Sequence, residues 1–210
     1  MAQATKSAEV HRILERYLVE VVEAHALCPW ARTARTGGEL EVAIVWGTPA
    51  LADWIAAAEH ALVRSDVRVA MIVAPELAIT PAELRALRDA VAARLPAAGI
   101  ADFHPEAALD LASPARLVPF LRRSPDPMLQ LVPLAILDAV RAAPPVAERA
   151  HQAKILGGHA PPPRDDVATQ IAATNHATVT AHHAAIAETL AAIAADRDAA
   201  YARAGITSSR

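Results

Sequence analysis

Twice in succession the chain spells the same grammar: a β-branched apolar run of strand length, a Thr-Pro pair, then apolar residues at helical spacing. The first copy is LEVAIVWG-TP-ALADWIAAAEHALV, Leu40 to Val63, and the second is VRVAMIVAPELAI-TP-AELRALRDAVAARL, Val67 to Leu95. Few folds accommodate it. Parallel strands must be joined by a crossover, and a strand, a helix and a second strand supply one, with right-handed connections as the usual solution. Thr48 and Thr80 read as N-caps, with Pro49 and Pro81 at the first helical position, and Glu83 completes a capping box with Thr80. Leu51, Trp54, Ile55, Ala58 and Leu62 would line one face of one helix, and Leu84, Leu87, Val91 and Leu95 one face of the next. Gly99 is expected to end that second helix, leaving Ile100 to Phe103 as a third strand. The expected fold class is α/β: a small, mainly parallel βαβαβ sheet flanked by helices.

Around this core the pattern predicts an N-terminal amphipathic helix from Ser7 to Ala26. Val10, Ile13, Leu14, Tyr17, Leu18, Val21 and Val22 make its apolar face, Ser7 its N-cap, and Pro29 blocks its continuation. After the third strand, Ser113 to Pro127 is too rich in proline for a regular element and too apolar to float free, so it reads as a loop packed over the sheet edge. Met128 to Val132 is a candidate fourth strand, and Pro133 starts a helix to about Ala142. Residues 1–143 thus form an α/β core, 144–165 a Pro/Gly-rich connector, and 166–205 a long alanine-rich helix packed on the core, capped by Asp165 or Asp166 and stopped at Gly205.

Composition narrows the function classes. Of the 210 residues 54% are hydrophobic and 20% charged, the pattern of a globular chain. A net charge of -3 gives no basis for nucleic acid or an anionic membrane as partner. The single cysteine cannot form an internal disulfide. The N-terminus lacks the continuous apolar stretch of a signal peptide, and no window reaches the ~18 apolar residues of a membrane span. The expectation is a cytoplasmic protein acting on a small-molecule substrate, with neither nucleic acid nor membrane as partner, and with the C-terminal helix as a candidate homo-oligomer interface.

In α/β sheets, ligands gather beyond the carboxyl ends of the strands. Here that edge would carry Trp46-Gly47, Ala74-Pro75 and His104-Pro105. His104 stands where such proteins place catalytic groups, and an imidazole of ordinary pKa, ~6.5, suits proton transfer near neutrality; Glu106 or Asp102 could orient it. A histidine bonded to loop backbone explains the same placement. Arg122, Arg123 and Ser124 follow in the packed loop, where a guanidinium can grip a carboxylate or phosphate bidentately. Cys28 lies just past a helix C-terminus, a poor place for a thiolate unless Arg32 and Arg35 fold back on it, so local physics favours a buried thiol. On the last helix, Asn175, Thr178 and His182 share the face of Ile171, Ile186 and Ile193, and buried polar groups there need partners.

Cofactor motifs are absent. There is no G-x-G-x-x-G after the first strand, no P-loop, no G-x-S-x-G, no H-E-x-x-H and no C-x-x-C. His176 and His183 are seven residues apart, ~10 Å along a helix and too far to share a metal. A metal site from Cys28, His104 and His182 would have to assemble across elements, and no cofactor is expected.

The pattern of a helix ending in Leu-Cys-Pro-aromatic-Ala, a strand ending in Phe-His-Pro, and a downstream Arg-Ser-Pro-x-Pro-Met-Leu resembles the bacterial family catalogued as domain of unknown function 1415. The likeness spans roughly Val10 to Leu131. It implies that Cys28, Pro29, His104, Pro105, Arg123, Ser124, Pro125 and Pro127 fall on the family's motif positions; it implies no activity. The chain departs from the pattern in carrying EAALDL after His104-Pro105 and Gln130 where a histidine is usual, which suggests a specialised member. The leading expectation is a small enzyme performing cofactor-free acid/base chemistry, such as dehydration, cyclisation or isomerisation, on a small polar metabolite in a biosynthetic pathway. Cys28 and His104 would be catalytic, and Arg123, Ser124, Asn175 and His182 would bind substrate. Two other classes stay open: a haem- or metal-binding protein using Cys28 or histidine ligands, and a non-catalytic binding or assembly module.

Overall fold

The structure, a computed structural model, describes residues 2–142 and 167–207. The expected connector and the Asp165 or Asp166 cap lie outside the described residues. In chain order the elements are α1 (Ala2–Tyr17), which runs on into a π-helical turn (Leu18–Glu23), α2 (Ala31–Thr36), β1 (Leu40–Ile44), α3 (Leu51–Ala61), β2 (Val69–Val73) and α4 (Pro81–Ala92). Then come β3 (Ala98–Phe103), α5 (Pro114–Leu121), β4 (Met128–Pro133), α6 (Leu134–Ala142) and α7 (Val167–Ala204).

The four strands form one sheet in the order β1-β2-β4-β3. β1 and β2 are parallel, with Leu40 opposite Val69 and Ile44 opposite Val73. β4 is antiparallel to both neighbours, placing Met128 between Val73 and Phe103. The sheet is therefore mixed, which corrects the expected mainly parallel arrangement. The reason is connectivity: the segment after β3 returns at the same edge, so the next strand must run back down. It inserts between β2 and β3 instead of extending the sheet. The first three strands still point the same way, and their carboxyl ends share one edge.

Side-chain alternation gives each sheet face its own core. Ala70, Ile72, Leu129 and Leu131 face Trp54 and Ala58 of α3 and Leu84 and Val91 of α4. Met71, Val73 and Met128 face Val10, Ile13, Tyr17 and Val21 of the N-terminal helix and Val179, Ile186 and Ile193 of α7. Each fully buried aliphatic side chain contributes roughly 1.5–3 kcal/mol. A slip of one residue in any strand would exchange the two faces, so the register is strongly specified.

Several helix boundaries differ from the sequence expectation. α1 starts at Ala2, so Ser7 is interior and caps nothing. The Thr80 cap is as expected: its Oγ1 accepts from Glu83 N at 3.3 Å, and Glu83 Oε2 accepts from Thr80 N at 2.8 Å. α3 instead begins two residues beyond Pro49, where Asp53 Oδ2 accepts from Ala50 N at 2.8 Å, a carboxylate displacing Thr48 from the capping role. Gly99 does not end α4 but lies within β3, where an added Cβ would stand 2.6 Å from Leu137 Cδ1 of α6; its role is close approach. The expected loop from Ser113 contains α5, capped by Ser113 Oγ accepting from Arg116 N at 3.3 Å, with Pro114 at the first helical position. There a proline costs nothing, because that N–H has no intrahelical partner in any case.

Candidate functional site

The carboxyl edge of the sheet carries a buried polar knot. Arg197 of α7 donates through Nε to Asp126 Oδ1 at 2.6 Å and through Nη2 to the Pro75 carbonyl at 3.0 Å. Tyr201, one turn on, donates its hydroxyl to Asp126 Oδ2 at 2.7 Å and lies under the guanidinium, 4.4 Å from ring centre to Cζ. Burial and the Asp126 hydrogen bond both push the Tyr201 hydroxyl far above its ordinary range, so it stays a donor.

His104, Arg123 and Ser124 are brought together at this edge, chiefly by backbone bonds. His104 is buried, its Nε2 donates to the Ile79 carbonyl at 2.8 Å, and its Nδ1 accepts from Glu106 N at 3.0 Å. Both ring nitrogens are thus engaged by backbone, and neither the Glu106 nor the Asp102 carboxylate orients the ring. Arg123 Nε donates to the Pro105 carbonyl at 3.0 Å, and Ser124 Oγ to the Asp126 carbonyl at 2.6 Å. His104 N donates to the Arg122 carbonyl and Ala74 N to the Pro127 carbonyl, so the two proline-rich motif segments are stitched to each other and to β2.

Cys28 lies elsewhere. The chain leaves the π-helical turn, reverses at Ala26 in the left-handed region (φ 51°), and passes Cys28 before entering α2. The half-buried thiol borders a cavity of about 230 Å³ between the N-terminal helix and the sheet face. Leu18 and Val22 of the π-helical turn, Val69 and Met71 of β2, Phe103 of β3 and Leu121 of α5 supply apolar wall. Tyr17, Gln130 and Arg122 join Cys28 as its polar side chains. Burial raises the Tyr17 hydroxyl well above its ordinary range, and the neighbouring Cys28 adds to the effect, so Tyr17 stays protonated and can donate a hydrogen bond. Arg32 and Arg35 do not fold back on the thiol. Both reach Glu23, Arg35 Nε at 2.7 Å and Arg32 Nε at 3.3 Å, and the Arg35 hydrogen bond holds the Glu23 carboxyl below its usual value.

The α7 residues divide. Asn175 is buried and its Nδ2 donates to the Leu27 carbonyl at 3.0 Å, fixing the strand of chain that presents Cys28. His176 Nε2 donates to the Leu111 carbonyl at 2.9 Å. His182 is exposed at the margin of the helix face, its ring 6.0 Å from that of His25. Among the described residues no three His, Cys, Asp or Glu side chains converge as metal ligands.

A second cavity, about 320 Å³, opens on the other side of β3 and is lined by Arg85, Arg88, Asp102, His104, Glu106 and Arg122 among others. Val118 of α5 and Arg122, just past its end, border both cavities, and adjacent residues of β3 face them: Phe103 the first, Asp102 the second. Cys28 and His104 therefore stand on opposite sides of an edge strand. Sequence reasoning missed Tyr17, Asp126, Arg197, Tyr201, Arg85 and Arg88 as polar features. Continuing the apolar stripe of α7 from Ile193 through residues 197 and 201 would have shown an arginine and a tyrosine on the buried face.

No protein-family model, curated protein or solved structure matches the chain. Gln130 faces the cavity beside Cys28. No described helix is long and apolar enough to cross a membrane.

Proposed function

We propose that the chain is a small enzyme that carries out cofactor-free proton-transfer chemistry, an elimination, cyclisation or isomerisation, on a small molecule held between the N-terminal helix and the sheet. The observation that carries this reading is the cavity beside Cys28: an apolar chamber with four polar side chains of distinct chemistry on its wall. Cys28 is the nucleophile or proton carrier. Tyr17, kept protonated by burial, donates to an oxygen on which charge develops, and Gln130 and Arg122 orient the substrate. His104 takes a positioning role in this reading, because a proton shuttle needs a free nitrogen and both of its own are bonded to backbone. Arg123, Ser124 and Asn175 likewise hold backbone in place.

The test is to incubate wild-type protein and Cys28→Ala with a soluble metabolite extract in deuterated water and compare the products by mass spectrometry. Wild type should consume or deuterate at least one compound that the variant, equally stable to heat, leaves alone. Identical extracts after both incubations would refute the reading. A second reading, ligand binding without turnover, is favoured by the engagement of His104; a compound retained by wild type and released unchanged and undeuterated would establish it.

A further inference from the structure

We propose that the cavity between α4 and α5 binds an oxyanion, a phosphate or carboxylate group, and that this is the head group of the molecule whose apolar body lies beside Cys28. Only the second half rests on the function proposed above; anion binding stands on its own geometry.

Three guanidiniums share this cavity. Arg85 and Arg88 are three apart on α4 and so lie on one helix face, and Arg122 approaches from the C-terminal cap of α5. One carboxylate oxygen, Asp102 Oδ1, serves two of them at once, Arg88 Nη1 at 3.2 Å and Arg122 Nη1 at 3.7 Å. Arg88 also reaches Asp89 on its own helix at 2.9 Å, but the aspartate side chain is 67% exposed, so its charge is largely given to water. Glu106 is exposed at the rim. No described residue pairs with Arg85, and the Nε–H of Arg88 is buried without a partner. Among the described side chains that line the cavity, three guanidiniums stand against two carboxylates, Asp102 and Glu106, and one buried donor lacks an acceptor. The crowding is felt by Arg122: burial lowers its pKa from the ordinary value, Asp102 opposes the shift, and Arg88 and Arg85 add to it. Such an arrangement is costly when empty, because like charges repel and a buried donor is unsatisfied. An anion with two or three oxygens removes both costs, since guanidinium N–H groups match the spacing of carboxylate and phosphate oxygens. His104 cannot supply the missing acceptor, because Nδ1 already accepts from Glu106 N.

Placement of the cavity links it to the first. Arg122 borders both, so an anion gripped by Arg85, Arg88 and Arg122 sits one side chain away from the apolar chamber. A ligand lying around the free edge of β3 would place its charged end against Asp102's arginines and its body over Phe103.

The experiment is a titration of the full-length 15N-labelled protein with inorganic phosphate and, separately, with acetate, at constant ionic strength, following arginine Nε–H signals by NMR. Saturable shifts of the Arg88 signal are expected, with affinity weakened about tenfold or more in Arg85→Gln or Arg122→Gln, the loss of one charge-assisted hydrogen bond. Preference for phosphate identifies a phosphorylated head group and preference for acetate a carboxylate. Arg85 is exposed, so its variant tests the proposal even if the Arg122 variant fails to fold. Absence of saturation in both titrations, or unchanged affinity in every folded variant, overturns the proposal. Cys28→Ala should retain anion binding while losing turnover, so failure of the function reading leaves a different signature from failure of the anion site.

Discussion

Replacing Asp126 with alanine should be among the most damaging single changes in the molecule. Its carboxylate and the Arg197 guanidinium retain only 5% and 3% side-chain exposure, and their closest approach is 2.6 Å. Removing the carboxylate leaves a buried cation with the Pro75 carbonyl and the half-exposed Asp198 among its remaining partners, and leaves the Tyr201 hydroxyl without its acceptor. Breaking a buried pair in this way costs about 3–5 kcal/mol, a large part of the roughly 5–15 kcal/mol that holds a domain together. Tyr201→Phe removes one hydrogen bond to the same carboxylate and should cost about 1–2 kcal/mol. The diagnostic case is the double variant Asp126→Leu, Arg197→Met. With no charge left to desolvate, it should be less damaged than the sum of the single variants by about 1–3 kcal/mol. Urea denaturation followed by circular dichroism, extrapolated linearly to water, measures these three and the single variants Asp126→Leu and Arg197→Met. An Asp126→Ala protein within about 1 kcal/mol of wild type, or a double variant equal to the sum of its parts, would refute the claim that this pair locks α7 onto the sheet edge.

A second carboxylate on α7, Asp196, accepts from Arg12 Nη1 at 2.6 Å and from Arg16 Nη1 at 2.6 Å, and these hydrogen bonds, Arg12's first, hold its pKa far below the ordinary 3.8. Because the folded pKa is the lower one, the unfolded chain binds more protons in acid; the stabilisation is complete above about pH 5 and is lost as pH falls through and below the ordinary value. Asp196→Asn should therefore flatten the acid limb of a stability profile and cost about 1 kcal/mol at pH 7, the difference from wild type shrinking steadily as pH falls below the ordinary carboxylate value. Asn175→Ala leaves the Leu27 carbonyl without its 3.0 Å donor and should cost about 1–2 kcal/mol while increasing the rate at which iodoacetamide alkylates Cys28. An unchanged alkylation rate would show that α7 does not hold the thiol-bearing segment. Trp54 is fully buried and its Nε1–H has no partner among the described residues, so Trp54→Phe, which removes the stranded donor, should cost under about 1.5 kcal/mol where Trp54→Ala costs about 3–5 kcal/mol by calorimetry.

What was legible in the sequence was what local chemistry dictates. The Thr80-Pro81-Glu83 cap, the two β-branched runs and the apolar faces of α1 and α4 occur as their spacing requires, because each is decided within a few residues; the face of α3 buries Trp54 and Ala58, but Leu51, expected on it, is exposed in the first turn. What was not legible was decided at a distance. The place of β4 between β2 and β3 depends on where the chain returns after Phe103, which no residue of MLQLV encodes. α5 was hidden because Pro114 and Pro119 both read as breaks, although the first sits where the helix tolerates it and the second near the end of an eight-residue element. The π-helical turn was hidden because one extra residue per turn leaves the composition of the apolar face unchanged. It shifts only the phase, carrying Leu18 and Val22 onto the cavity wall.

The same division of local from distant explains the site. His104, Arg123 and Ser124 were singled out for their types and their position at the carboxyl edge, and the structure places them at that edge. Yet that edge is already occupied: Arg197 crosses it, Asp126 and Tyr201 anchor the arginine, and backbone carbonyls take the donors of His104, Arg123 and Ser124. The long C-terminal helix delivers the blocking arginine, so the usual ligand crevice of an α/β sheet is exchanged here for a fastening. Space for a ligand is displaced to the flanks of β3, one of the two edge strands, where α5 covers without sealing. Cys28 reaches that space because the π-helical turn and the left-handed Ala26 bring the first helix's exit over the sheet face instead of past its end. The thiol is thus half-buried, as its local sequence suggested, and at the same time on a cavity wall, which only the tertiary path of the chain could reveal.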